Sequence, residues 1–214
     1  MKRVIYLPIL LLFTSIYAEE LVKITKDIPY VHIKDNGVDV KISRIQDTGN
    51  KLTDDFAKTS RKCPPFCIPN IQVVKGVKTI AELELIEFIK NKVYKKKGIL
   101  ADARLKSFYN LETIPGAINI PFTLTEINSK RVIDSLFKAL GAKIKSDGSY
   151  DFSTAKDIAA FCSGLWCEQS SRFIKGIVRH GYPANKIYWY RDGLQAWKLL
   201  GLTTVVHKAI EAKK

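Results

Sequence analysis

Two cysteines in one short stretch could carry chemistry: Ala160-Phe161-Cys162-Ser163-Gly164-Leu165-Trp166-Cys167-Glu168-Gln169-Ser170. Residues 157–161 read as a buried strand, a glycine-containing loop follows, and residues 168–179 have a helical pattern. In open α/β sheets, ligands gather at the carboxyl ends of strands. A loop entering a helix turns free N–H groups and the positive end of the dipole toward its own centre. That field favours a thiolate and an anion beside it, and the thiolate is the reactive form of cysteine. Cys162 is therefore a candidate nucleophile with a depressed pKa. The backbone of Ser163, Gly164, Leu165, Trp166 and Cys167 is a candidate anion cradle. Cys167, where the helix should begin, is a candidate resolving thiol. The Cys-x4-Cys spacing differs from the Cys-x2-Cys of thioredoxin-type sites, so a redox couple and a plain disulfide that stiffens the loop both stay open.

The other two cysteines lie in Lys62-Cys63-Pro64-Pro65-Phe66-Cys67-Ile68-Pro69, whose prolines predict a rigid extended loop. Cys63 and Cys67 could form a local disulfide. Alternatively this loop could fold over the mouth of the Cys162 site, with Phe66 as lid and one of its thiols as an acceptor. A zinc site of four thiolates is sterically conceivable but disfavoured, and the reading adopted has no metal and no cofactor. No cysteine is followed by histidine, which argues against haem attachment. The histidines (His32, His180, His207) stand in no triad context, so a hydrolase has no support. Of the tryptophans, Trp166 is the candidate ligand contact, and Trp189 and Trp197 suit a core.

The elements that must position these residues follow from periodicity. Alternation across residues 28–45, broken by Asp35-Asn36-Gly37, predicts a β-hairpin. Residues 46–62 are polar and carry no clear period. Thr79-Ile80-Ala81-Glu82 reads as a capping box for a helix with Ile80, Leu83, Ile86, Ile89 and Val93 on one stripe. Residues 98–102 form a short buried strand that ends in Asp102. Residues 114–121 are a turn into another strand, and a helix from about Val132 to Leu140 closes at Gly141. A strand over 187–190 and a helix over 194–200 complete the pattern. Strands alternating with helices predict an α/β fold, a parallel sheet flanked by helices on both faces, with an N-terminal extension of β-hairpin and loop.

Two signatures then coincide. Asp102-Ala103-Arg104 is followed by Ile114-Pro115-Gly116-Ala117-Ile118-Asn119-Ile120-Pro121, and Gly181-Tyr182, the 187–190 strand, Asp192-Gly193 and Trp197 follow later. The sequence from about Thr79 to Val206 resembles the rhodanese-like domain family. The resemblance implies that Cys162 forms a persulfide. A small anionic sulfur donor such as thiosulfate or polysulfide leaves its outer sulfur there, and a nucleophile such as an acceptor thiol protein takes it away. Thr113 stands where the family has histidine, and residues 163–167 lack the usual basic residue. Arg104 is a candidate donor-binding residue and Asp102 an orienting one, with a simple ion pair as the alternative. A catalytically silent module that docks a partner through this fold stays open beside the enzyme.

The chain has 214 residues and a formal charge of +14, with apolar and charged fractions ordinary for a globular protein. Met1-Lys2-Arg3, an uncharged run over residues 4–16 and Ser15-Ile16-Tyr17-Ala18 before Glu19-Glu20 predict a signal peptide over 1–18. The run falls short of the ~20 residues of a membrane span, so no stable span is expected after cleavage. Export implies a periplasmic location that permits disulfides. Loss of Lys2 and Arg3 lowers the charge to +12. Diffuse lysine in an exported protein argues against nucleic acid and for anionic small molecules or acidic partners. The expected organisation is signal peptide 1–18, extension 19–76, rhodanese-like domain 77–206 and charged tail 207–214.

Overall fold

The computed structural model describes residues 21–207. The expected signal peptide and most of the charged tail lie outside them. The chain opens with a hairpin of β1 (Tyr30–Asp35) and β2 (Val38–Ser43), antiparallel and in register from Tyr30↔Ser43 to Asp35↔Val38. Asn36 and Gly37 turn it with φ of 46° and 85°, the doubly positive pair that the twist of a two-residue hairpin requires. Val31, Ile33 and Ile42 face inward.

Five further strands build the central sheet: β3 (Lys78–Ile80), β4 (Gly98–Asp102), β5 (Ala117–Asn119), then, after the small antiparallel pair β6 (Lys143–Ile144) and β7 (Tyr150–Asp151), β8 (Asp157–Phe161) and β9 (Ile187–Tyr190). Their order is β3-β9-β8-β4-β5 and every pairing is parallel. The helices are α1 (Glu82–Phe88), α2 (Lys106–Leu111), α3 (Lys130–Ala139), α4 (Gln169–Arg179) and α5 (Gly193–Leu199).

Alternate residues of the buried strands feed two cores. Ile99, Ala101, Ile158, Ala160 and Trp189 pack with Ile133 and Phe137 of α3 and Phe173 and Ile177 of α4. Leu100, Ala159, Phe161 and Tyr190 pack with Leu85 and Ile86 of α1, Leu194 and Trp197 of α5, and Ile33 and Ile42 of the hairpin. Burial on both faces is why these strands read as continuous apolar runs. The hairpin completes the second face. Asp35 accepts a hydrogen bond from the Gly116 N–H (2.8 Å) and pairs with His207 Nε2 (2.8 Å), tying the tail to the hairpin. Gly116 (φ 79°) lies so close that a Cβ would meet Ile33 Cγ1 at 2.7 Å.

Two local expectations are corrected. Thr79 is not a helix cap: it sits in β3 opposite Trp189, and the helix begins at Glu82, where the Glu84 carboxylate accepts from the Ala81 N–H (3.2 Å). Strand pairing outcompetes the capping signal, and the buried set becomes Leu85, Ile86, Phe88 and Ile89, with Leu83 exposed. The Cys-Pro-Pro-Phe-Cys segment is turned rather than extended. The Phe66 N–H bonds to the Lys62 carbonyl and the Cys67 N–H to the Pro65 carbonyl, both at 3.1 Å.

Candidate active site

β8 delivers Cys162 to the carboxyl edge of the sheet, and the loop to α4 wraps over it. The loop is clamped from α5: the Leu194 and Gln195 N–H groups donate to the Cys162 and Ser163 carbonyls, each at 2.9 Å. Gly193 (φ 62°) permits this approach, since a Cβ there would lie 2.5 Å from the Cys162 carbonyl oxygen. The Cys167 N–H closes the turn on the Gly164 carbonyl (2.9 Å).

Cys162 and Cys167 are both free thiols, so the stiffening disulfide is absent. Both are buried, at 1% and 8% exposure. Cys162 Sγ donates to the Cys167 carbonyl (3.1 Å) and accepts from Ser170 Oγ (3.1 Å), which in turn accepts from Trp189 Nε1 (2.9 Å). The expected depressed pKa at Cys162 is not found. Burial pushes its thiol well up, and the Cys167 thiolate beside it adds to the shift. Cys167 moves the other way, down to about 7. The Cys162 thiol donating to it is the largest cause; burial opposes, and the Gln169 and Ser163 amides and the Arg104 charge assist. The amide cradle therefore serves Cys167 at the helix entrance, while Cys162 lies beneath it. The two sulfurs titrate as one pair whose first proton leaves near pH 7.

Alkylation of the reduced protein at Cys167 should rise with pH through a midpoint near 7. In Cys162→Ala the donated S–H is gone, and the midpoint should climb toward the ordinary ~8.5. Peptide mass mapping of the alkylated residue across pH reads both, and an unmoved midpoint would contradict the coupling.

Asp102 and Arg104 form the buried ion pair that was the alternative to a ligand role. The Arg104 Nε (2.9 Å) and N–H (3.0 Å) bond to Asp102 Oδ1, and Nη2 (2.6 Å) and Thr113 Oγ1 (2.7 Å) to Oδ2. Thr113 thus takes up a carboxylate bond at the position where the family has histidine. Arg104 still borders a cavity of about 240 Å³ shared with Ser163, Trp166, Phe108, Arg61 and Glu112. Leu165 is exposed on the loop, and Gly164 packs under Gln195, whose Oε1 a Cβ would meet at 2.8 Å.

The N-terminal extension reaches the loop between β8 and α4 at Trp166. The Arg61 guanidinium stacks 3.8 Å from the Trp166 ring centroid, and Phe66 meets the same ring edge-on at 5.5 Å. Arg61 is held by the Asp55 carbonyl (2.7 Å) and carboxylate (3.2 Å). Cys63 and Cys67 are joined by a disulfide, so neither is a free acceptor thiol in this state. Among the described residues no group of metal ligands comes together, and the four-thiolate zinc site is not formed.

Sequence reasoning missed Arg61, Ser170 and Gln195. Gln195 Oε1 accepts from Trp166 Nε1 and its Nε2 donates to the Phe56 carbonyl, both at 2.8 Å, so one amide joins loop, α5 and extension. Ser170, one residue inside α4, had a usable signal: a first-turn hydroxyl faces back toward the strand end that feeds the helix.

The comparisons with known proteins can be set beside this geometry. Among curated proteins none matches the chain by sequence. Solved structures with similar folds include the BH2092 protein from Bacillus halodurans, at 20% identity over 64% of this chain and 82% of that one, TM-score 0.45. The thiosulfate sulfurtransferase from Pseudomonas aeruginosa has 16% identity over 62% of this chain and 21% of that one, TM-score 0.42. The human single-domain sulfurtransferase has 17% identity over 57% of this chain and 96% of that one, TM-score 0.40. The family model for the rhodanese-like domain matches residues 84–200, more than half of the 214 residues. With five parallel strands between helices and a cysteine loop between β8 and α4, the chain belongs to the rhodanese-like domain family.

Proposed function

We propose that this protein is an exported sulfurtransferase or sulfur carrier that works through the Cys162/Cys167 pair, with Cys162 as the site of the persulfide. The observation that carries the reading is a pair of free, buried thiols in the loop between β8 and α4, with Cys162 Sγ bonded to the Cys167 carbonyl at 3.1 Å. Cys162 passes its proton to the Cys167 thiolate and attacks the outer sulfur of the donor. The donor's S–S bond breaks and its remainder departs with the electron pair, as sulfite if the donor is thiosulfate. The persulfide then yields its outer sulfur to an acceptor thiolate. Alternatively Cys167 attacks the inner sulfur, releasing sulfide and leaving a Cys162–Cys167 disulfide.

Arg61 and Arg104 are the cations that border the cavity beside the loop, where Asp54, Asp55 and Glu112 border it too, so an anionic donor would have to draw them away from carboxylate partners. The sequence of residues 1–18 supports export, and a Cys63–Cys67 bond suits a periplasm or other oxidising compartment. No helix among the described residues is long and apolar enough to cross a membrane.

The test is intact mass after incubation of reduced protein with thiosulfate or polysulfide. The expected result is one added sulfur on the wild type and none on Cys162→Ser. Equal labelling of the variant, or none on the wild type, would sink the reading. Two free thiols in one short loop also favour a dithiol–disulfide oxidoreductase, which would cycle between thiol and disulfide without a sulfane donor.

A further inference from the structure

Four cysteines occur as two pairs in opposite redox states, and the loops that carry them touch through Phe66 and Trp166. Cys63 and Cys67 are bonded on an exposed loop, whereas Cys162 and Cys167 are free and buried. Phe66 and Trp166 are in ring contact at 5.5 Å, and each is the chain neighbour of a cysteine, Cys67 and Cys167. Arg61 lies against both rings, 3.8 Å from Trp166 and 5.6 Å from Phe66, and joins the Cys63–Cys67 segment to the loop of Cys162 and Cys167. Of the inner pair, Cys167 is the less buried and the one that follows Trp166 directly in the chain.

We propose that the two pairs form an electron relay in which a Cys63/Cys67 dithiol reduces a Cys162–Cys167 disulfide through a transient Cys67–Cys167 bond. The inference rests on the proposed sulfur chemistry only for the origin of the inner disulfide, which forms when Cys167 resolves the Cys162 persulfide. The Cys67 thiolate attacks Cys167 Sγ. The inner S–S bond breaks, and its electron pair leaves on Cys162 Sγ, which takes up a proton beside the Ser170 hydroxyl. The Cys63 thiolate then attacks Cys67 Sγ, the mixed bond breaks, and Cys167 leaves as a thiolate.

A low-pKa thiolate is the faster leaving group in such exchange, and Cys167 is the sulfur that the loop amides stabilise. Two electrons have moved inward: the outer pair ends as a disulfide and the inner pair as thiols, which is the arrangement in this structure. A dithiol reductant in the surrounding compartment then resets the exposed outer bond. The extension thereby does work the buried pair cannot, since it offers the site's electrons at the surface.

Two measurements on protein never exposed to a sulfur donor test the relay apart from the sulfurtransferase reading. Reduced wild-type protein, freed of reductant, is given one equivalent of the thiol oxidant diamide, left to equilibrate, alkylated and mapped by peptide mass. The disulfide should settle at Cys63–Cys67 in about tenfold or greater excess over Cys162–Cys167. An even or reversed distribution overturns the proposal. In C63S/C162S only Cys67 and Cys167 remain, and mild oxidation should remove both thiols in a monomer and give a Cys67–Cys167 linked peptide. Thiols that stay alkylatable, or link only between chains, in a variant that melts cooperatively overturn it as well. The wild-type distribution needs no substitution and stands even where the variant is destabilised.

Discussion

Asp102→Ala should lower the unfolding free energy by about 3–5 kcal/mol, the usual loss when one partner of a buried ion pair is removed. Asp102 is 0% exposed and accepts from the Arg104 N–H, Nε and Nη2 and from Thr113 Oγ1. Without it the guanidinium stays buried with the Glu112 carbonyl as its remaining acceptor among these bonds. That is a large part of the roughly 5–15 kcal/mol that holds a domain together. Urea unfolding should show the midpoint fall with little change in slope. Arg104→Met added to Asp102→Ala should recover most of the loss, because replacing both partners with apolar groups is often near neutral. A single variant within 1 kcal/mol of wild type, or a double variant no better than the single, would contradict this account.

Gly176→Ala should destabilise by about 1–3 kcal/mol, although alanine is the better helix former by about 1 kcal/mol. Gly176 lies inside α4, where a Cβ would meet Thr125 Oγ1 at 2.1 Å and Thr125 Cβ at 2.4 Å. Thr125 cannot withdraw: it is fully buried and its hydroxyl donates to the Phe122 carbonyl (2.8 Å). The same contact is fastened by Arg179 Nη2 on the Thr125 carbonyl (3.0 Å) and by the two-pronged Arg172–Glu126 pair (2.7 and 2.8 Å). α4 therefore has to tilt or slide, and its first turn carries Ser170 and begins two residues after Cys167. A drop in melting temperature should accompany a changed alkylation rate at Cys167. An alanine variant that melts higher than wild type would show that the helix is free to move.

Much of the architecture was legible because local and global demands agree. The runs at 98–102 and 157–161 are buried on both faces, so they are apolar throughout, and Gly37 and Gly141 sit where the backbone has positive φ. Thr79 misled because a capping pattern is local while its pairing with Trp189 spans more than a hundred residues. The site was half legible for the same reason. Position along the chain places both cysteines at a strand-to-helix loop, but which sulfur ionises depends on how deeply each is buried, and desolvation outweighs the dipole at Cys162. Arg61 and Gln195 have no local motif, whereas Phe66 was legible from its place between the prolines and Cys67. The roles of Arg61 and Gln195 come from contacts made across the fold, to Trp166 and Phe56.

The β1–β2 hairpin bears on where this protein can be cut. The family match begins at residue 84, yet Val31, Ile33 and Ile42 share one core with Leu100, Phe161 and Trp197. Arg44 Nε donates to the Leu200 carbonyl (2.7 Å) and the Thr203 N–H to the Ser43 carbonyl (3.0 Å), stitching the hairpin to the opposite terminus of the family match. The stretch that similarity recognises is shorter than the unit that folds. A fragment trimmed to the family boundaries would carry both cysteines of the loop on a sheet that has lost β3 and the hairpin's cover on one face, so inactivity in that fragment would report lost packing and not absent chemistry.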